Sequence, residues 1–509
     1  MQKENLKIIF GLKLRQYRQQ KGLSTKQVAH NAGLSTSYVN EIEKGKKYPK
    51  ADKIVSLAEA LSVSYDELVS LKLGKSLNRL STLLNSDTLQ DIPFHLFGIE
   101  MSDLMGIMSD DPARFSALIS TFLEIARNYD VRVEQFLFAA LRSYQELHNN
   151  YFEDLEEAVE KFCERHEWAK EDPVPYNRLV DYLTKAYSYI IEESSFENYP
   201  DLKGFRSIYV PGKPPRLIIN EHLLESQKAF VLGREIGYNE LNLKERALTS
   251  SWLQVDSFEQ VLNNFKASYF AGALLLKTSD LNKRLHQFFQ RKKFDADALG
   301  QMMDDFKATP EMFAHRITQV LPHHFDLDQL FFLRFNNTTH SEKYFLTKEL
   351  HLSRLHNPHG VAHSEHYCRR WITISLLQDL ARKIRIGTYE KPIIGAQFSH
   401  YHNTNSEYLC ITIARPLSLA SDNNSCVTLG IEVNDAFKEK VGFWNDSDIP
   451  RRTVNETCER CPIEDCDERA AEPVFYEEEQ KKERRVMALH QLMDDYSQKS
   501  SDPNAMEEA

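Results

Sequence analysis

"LRQYRQQKGLSTKQVAHNAGLSTSYVNEIEKGKKYP" fills Leu14–Pro49, and its punctuation decides what kind of fold begins the chain. Ser24 stands just ahead of an apolar-periodic run that Gly33 closes, and Ser35 stands ahead of a second run only a turn later. A serine hydroxyl in that place satisfies a free backbone N–H, and glycine accepts the left-handed backbone that ends a helix. Two capped helices joined so tightly must cross steeply. Val28, Ala29, Ala32, Val39 and Ile42 face the join, and Leu34 plugs the turn. A helix ending at Gly22 brings Ile8, Ile9, Leu12 and Leu14 to the same core. Two more, "ADKIVSLAEAL" and the Ser64-capped "YDELVSLKL", complete a five-helix bundle.

Charge separates this head from the rest. Residues 1–75 hold fourteen Lys and Arg against seven Asp and Glu, a balance of +7, while the 509-residue chain carries −11, leaving −18 for the remainder. Only the head is a candidate for binding a polyanion. It resembles the Cro/repressor-like (XRE) helix-turn-helix family over its full length, which implies a lambda-repressor-like bundle whose second capped helix enters the major groove of double-stranded DNA. On that resemblance Thr36, Ser37, Asn40 and Glu41 reach base edges of an operator. Lys26, Gln27, Lys44, Lys46 and Lys47 meet phosphates, giving salt-sensitive affinity without sequence choice. The family usually has glutamine where this chain has Thr25, so whatever that glutamine reads is not carried over. One head reads a half-site, so a homodimer is expected.

At 42% apolar and 27% charged residues the composition is globular, and the length calls for several domains. No apolar run reaches the roughly 18 residues of a membrane span, and "MQKENLKIIF" lacks a secretory core, so a cytoplasmic protein without membrane contact is expected. Its seven cysteines are an odd, low number for a disulfide-built protein.

The expected organisation is a head over 1–74, a polar linker over 75–110, a helical region over 111–320, a sensor domain over 321–473, and a helix with an acidic end over 474–509. In the helical region Phe115, Leu118, Ile119, Phe122, Leu123 and Ala126 repeat at threes and fours, and "VEQFLFAALRSYQELHNNYFEDLEEAVEKF" continues the pattern. Its charge run "EDLEEAVEK" reads as a solvated face. "IINEHLLESQKAFVLGREIGYNEL", Ile218–Leu241, is similar to the ImmA/IrrE-type zinc-peptidase domain, whose helix carries two histidines four apart and a glutamate base. Here Arg234, Glu235 and Tyr238 hold those places. Neither arginine nor a phenol replaces imidazole as a zinc ligand, so a zincin-like remnant without peptidase activity is expected. The alternative is a metallopeptidase that cleaves a partner regulator. Met302, Met303, Phe306 and Met312 read as packed core.

From Asp326 the rhythm becomes that of strands: "LFFLRFN", "YFLTKEL", "PIIGAQFSHY", "YLCITIARPL" and "CVTLGIEV", rich in aromatic and β-branched residues, alternate with polar turns. The expectation is therefore a multidomain chain, mainly α with an α+β C-terminal part built on an antiparallel sheet. "TCERCPIEDCDERA", Thr457–Ala470, places three cysteines in a few residues, and C-x-x-C offers two soft thiolates from one turn. Pro462 stiffens it.

Three strings, "HSEHYCRRW", "EYLCITIARPL" and "TCERCPIEDCDERAAEP", resemble successive landmarks of the short-chain fatty acyl transcriptional regulators, a likeness that with the head and the middle runs to about Pro473. The resemblance implies an iron–sulfur cluster, a four-iron one, on Cys368, Cys458, Cys461 and Cys466, and a short-chain acyl-CoA as effector. His356, His359, His363 and His366 lie just before Cys368, so zinc held by three cysteines and one histidine, serving structure alone, stands as the alternative. Cys163, Cys410 and Cys426 fall on helix or strand patterns and read as small buried residues.

Overall fold

The computed structural model describes residues 2–70, 133–168, 173–249, 255, 257–352, 365–402, 404 and 406–500. The linker expected over 75–110, the apolar positions from Phe115 to Ala126, and His356, His359 and His363 lie outside them. Contacts divide the described residues into two units, one drawn from Met1–Tyr144 and Trp252–Leu262, the other from Gln145–Ser251 and Asn263–Ala509.

The head has the five expected helices: α1 (Gln2–Gln20), α2 (Thr25–Asn31), α3 (Thr36–Glu43), α4 (Ala51–Leu61) and α5 (Tyr65–Val69). Ser24 and Gln27 close a reciprocal capping box on α2, Ser64 and Glu67 do the same on α5, and the Ser35 hydroxyl accepts the Tyr38 N–H. Val28, Ala29, Ala32, Val39 and Ile42 are buried at the join, as expected. Phe10 joins that core, a residue the periodic reading passed over. Two features that periodicity does not encode hold α1 to α3. Gly11 lies so close that a Cβ there would sit 2.3 Å from the Ile42 carbonyl oxygen. Beside it Arg18 donates to both carboxylate oxygens of Glu43, at 2.6 and 2.9 Å.

Further along the chain come α6 (Val133–Leu147), α7 (Glu153–Arg165) and α8 (Tyr176–Tyr187). The run that reads as one long helix is broken between α6 and α7, where Asn149 and Asn150 both take the left-handed conformation. Three short strands follow: β1 (Ile190–Ser194), β2 (Ser207–Val210) and β3 (Arg216–Asn220), in the order β1-β3-β2, with β1 parallel and β2 antiparallel to β3. The helical middle expected from the sequence thus contains a mixed sheet. Its strands, four or five residues each, are too short to display a period of two. Then come α9 (Glu225–Glu240), α10 (Phe258–Leu275), α11 (Thr278–Phe289), α12 (Ala296–Asp305) and α13 (Pro310–Phe325). Met302, Met303 and Phe306 are core.

The charge run on α7 is not wholly solvated. Glu156 is buried and takes two hydrogen bonds from Arg316 of α13 at 2.7 and 2.8 Å, with the Tyr269 hydroxyl at 2.7 Å and that of Thr278 at 2.7 Å completing its shell. Burial acts to raise the Glu156 pKa, but Arg316 outweighs it and the carboxyl lies below its usual range.

The C-terminal part packs one sheet between helices. Its strands are β4 (Leu330–Thr338), β5 (Phe345–His351), β6 (Ile393–Tyr401), β7 (Glu407–Leu417), β8 (Ala420–Glu432) and β9 (Arg451–Val454), in the order β5-β4-β8-β7-β6-β9. All neighbours are antiparallel except β6 and β9. The five strands expected from the sequence are β4 to β8. The two-residue alternation along β4 sends Phe331, Leu333 and Phe335 into a core with Trp371, Ile374 and Leu377 around α14 (Ile372–Arg385). Phe332 points the other way, onto His315 of α13. Cys410 and Cys426 are buried in this sheet and Cys163 in α7. The chain continues through α15 (Asp435–Lys440) to α16 (Val474–Ser500).

Candidate functional site

On the head, Ser37, Asn40, Lys26, Gln27, Lys44, Lys46 and Lys47 are exposed, and Thr36 and Glu41 half-buried. The N-cap Ser35 and the buried Val39 and Ile42 turn the opposite face of α3 outward, so Thr36, Ser37, Asn40 and Glu41 share it. Several of the nine expected contact residues are already engaged. Gln27 gives its amide oxygen to the Ser24 N–H at 2.8 Å, and Glu41 pairs with Lys47 at 2.8 Å. Such an exposed pair is worth little, so DNA phosphate can take Lys47 from it.

In the middle, α9 carries Arg234, Glu235 and Tyr238, all buried. Arg246 donates to both Glu235 oxygens at 2.6 and 2.7 Å, and the Tyr189 hydroxyl donates to one of them at 3.1 Å. The Arg246 guanidinium is sandwiched by Tyr209 at 3.7 Å and Tyr238 at 4.2 Å from its carbon to the ring centres. Burial opposes the charge on Arg246, yet Glu235 outweighs it and the net shift is upward. Arg234 and Tyr238, the residues in the ligand places, both reach the Asn264 side-chain oxygen, at 2.8 and 3.3 Å. A fixed guanidinium therefore supplies the positive charge next to Glu235. Sequence reading found the degenerate motif and missed Arg246, which no local pattern marks.

At the C-terminal end, Tyr367 and Thr457 form an antiparallel bridge, flanked by the Cys368 N–H on the Glu456 carbonyl at 3.0 Å and the Cys458 N–H on the His366 carbonyl at 2.8 Å. This lays the segment before α14 alongside the cysteine loop. Cys368, Cys458 and Cys461 are buried and Cys466 is half-buried on the same loop. Burial pushes the Cys368 thiol up to about 11, the backbone N–H groups of Asn455 and Arg370 pull against that, and the nearby Cys458 and Cys461 sulfurs add to it. The Ala470 N–H donates to the Cys458 sulfur at 3.3 Å.

Three sets of polar contacts that the sequence does not announce shape the loop. Arg469 donates to the carbonyls of Cys458 at 3.0 Å, Cys461 at 3.3 Å, and Ile463. The buried Glu365 holds Arg460 through two bonds, at 2.9 and 2.8 Å, and accepts from the Thr457 hydroxyl at 2.8 Å. Glu459 accepts the His366 N–H at 2.9 Å and lies 2.8 Å from its Nδ1. Among the described residues no three His, Cys, Asp or Glu side chains are drawn close enough to hold a metal ion as they stand. The backbone nevertheless lays the buried Cys368 alongside the Cys458–Cys461 turn, and N–H donors point at the Cys368 and Cys458 sulfurs, surroundings that suit a thiolate-ligated group.

Residues 14–68 match the family described as Helix-turn-helix, and residues 190–318 match the IrrE N-terminal-like domain. Over 60 residues the chain is 38% identical to the uncharacterized HTH-type transcriptional regulator YazB of Bacillus subtilis, covering 12% of this chain and 87% of that protein. Over 329 residues it is 23% identical to a propionyl-CoA carboxylase regulator of Cereibacter sphaeroides, covering 61% of this chain and 65% of that protein, just under two thirds of its length. A solved transcriptional regulator of Mycobacterium tuberculosis shares 17% identity at a TM-score of 0.45, covering 66% of this chain and 93% of that one. The chain belongs to the helix-turn-helix transcriptional regulators. Its head is the DNA-binding module, and an IrrE-like domain follows it in the sequence. Among the described residues no helix is long and apolar enough to cross a membrane.

Proposed function

We propose that this regulator is a homodimer that reads an operator with the outward face of α3, senses a short-chain acyl-CoA, and carries an iron–sulfur cluster on Cys368, Cys458, Cys461 and Cys466. The bridge between Tyr367 and Thr457 carries the cluster part of this reading, because it sets Cys368 beside a C-x-x-C pair that lies far away in the chain. When bound, such a cluster supplies a redox-sensitive cross-link between the two segments. The residues around it do the rest: Arg469 fixes the loop carbonyls, Glu365 and Arg460 hold its flank, and the Ala470 N–H donates to the Cys458 sulfur. The acyl-CoA is supported by the likeness to the short-chain fatty acyl regulators and by the name of the Cereibacter relative. No catalysis is required. Glu235 is occupied by Arg246 and Tyr189, which leaves it no role as a base, and the IrrE-like domain serves as scaffold.

Anaerobic purification tests the cluster: a brown protein absorbing near about 400 nm, losing its colour in Cys368→Ser, is the expected result. A colourless protein containing stoichiometric zinc overturns it in favour of a structural zinc site. One observation favours that second reading: His366 has its Nδ1 on the Glu459 carboxylate, the support that zinc-bound histidines usually have. Footprinting with and without acyl-CoA esters tests DNA reading and effector response together. Cleavage of a partner regulator on adding zinc would establish the peptidase reading instead.

A further inference from the structure

On the sheet face turned toward α13, positive side chains converge on one carboxylate. Arg334 of β4 and Lys348 of β5 stand directly opposite each other in the strand register. Like charges in that position repel, and the arrangement needs an anion between them. Glu311 of α13 provides one, at 2.7 Å from Arg334 and 2.8 Å from Lys348, and it is asked to serve Arg206 as well, at 3.7 Å. Arg415 of β7 faces the same carboxylate, with Tyr389 and Arg206 nearby. It makes no hydrogen bond or ion pair of its own among the described residues, although it is half-buried.

Four cations therefore gather around Glu311, and His315, which faces them together with Tyr389, is kept neutral because burial drives its pKa down to about 3. The contrast with the rest of the body is plain. Glu156 and Arg316 match one to one, and Arg382 and Lys383 on α14 both rest on Asp379 at the surface. A half-buried guanidinium with no partner is costly to keep unless a ligand completes it, and the planar fork of arginine suits an oxyanion. The apolar cavity of about 20 Å³ further along the same face, lined by Phe313, Ile411 and Ile413 among others, has no polar group to offer and is not part of this nest.

We infer that Arg206, Arg334, Lys348 and Arg415, gathered around Glu311, form a binding site for a small oxyanion, a phosphate or carboxylate group carried by a metabolite. As a site it stands on its own geometry; its role as the effector seat rests on the reading of the chain as a metabolite-responsive regulator. The four residues come from β2's approach, β4, β5 and β7, so an anion bound there ties the IrrE-like sheet to the C-terminal sheet.

Calorimetric titration of the full-length protein, without DNA, tests it. The probes are inorganic phosphate, pyrophosphate, propionate and coenzyme A, each to about 10 mM, a range that covers weak metabolite binding. Binding of at least one probe is expected, weakened about tenfold in Arg415→Ala, the cost of one charge-assisted contact. Because Arg415 has no internal bond to lose, that variant should keep its melting temperature. Lys348→Ala should weaken the same probe, and Arg382→Ala on α14 should not. Phosphate and coenzyme A binding without propionate identifies a phosphate site; propionate alone identifies a carboxylate site. No binding by any probe, or equal binding in Arg415→Ala and the native protein, overturns the inference. Operator binding by the untreated protein is measured separately, so failure of the regulator reading cannot be mistaken for failure of this site.

Discussion

The helix α3 of the head and the helix α9 of the body both present a motif known for chemistry, and they have used their polar residues in opposite ways. On α3 the polar side chains at the motif positions face solvent, while the strong ion pair, Arg18 with Glu43, is hidden behind the helix and holds it in place. On α9 the motif residues themselves are buried, and Glu235 is consumed by Arg246. A site needs functional groups whose partners are still to come. A group whose hydrogen bonds are satisfied from within has become scaffold, whatever motif it stands in.

The sharpest way to break this contrast is Arg246→Ala. It leaves Glu235 buried and charged without its partner, and should cost about 3–5 kcal/mol in a chemical-denaturation experiment on the full chain. Loss of less than about 1 kcal/mol would show that the pair is not scaffold and would reopen Glu235 as a functional group.

Gly11→Ala puts a methyl group against the Ile42 carbonyl and should destabilise the head by about 1–3 kcal/mol, lowering the first thermal transition and operator affinity together. Unchanged melting would mean that α1 and α3 separate easily. On the outward face the expectation reverses. Asn40→Ala should leave the melt unchanged and cost about 1–3 kcal/mol of operator binding at some base pairs only, whereas Lys44→Ala should weaken all sequences alike and reduce the salt slope by about one unit. Gel-shift titrations at several salt concentrations separate the two.

The smallest effect expected is that of pH on the Glu156 and Arg316 pair. The carboxyl lies below the ordinary carboxylate value of 4.5 in the folded chain, so the unfolded chain binds protons first. The stability it contributes is complete above that value and fades as the pH falls through the lower folded pKa. Glu156→Gln should flatten the acid limb of a stability-against-pH curve, and an unchanged limb would assign acid unfolding to other carboxylates.

What could be read from the sequence follows the range of the interactions. Caps such as Ser24 with Gln27 and Ser64 with Glu67 act within a turn, and they mark the head's helices correctly. The strands β4 to β8 are long enough to show alternation. The three strands of the IrrE-like sheet are not, and the break at Asn149 and Asn150 interrupts a run whose apolar spacing stays helical on both sides. Of the candidate sites, the exposed face of α3 was legible because it is the complement of a buried stripe. The cysteines were legible as a pattern, but Arg469, Glu365 and Arg246 were not, since each acts on a residue that periodicity does not connect to it.

One feature at the root of α16 bears on how the protein is handled. The N–H groups of Phe475 and Tyr476 both rest on the Glu459 carbonyl, and Arg460 lies over the Phe475 ring at 5.1 Å. The last helix is thus anchored in the very turn that separates Cys458 from Cys461. A shortened chain ending near Pro473, or a bulky fusion that drags on the tail, would disturb the thiols it was meant to leave untouched.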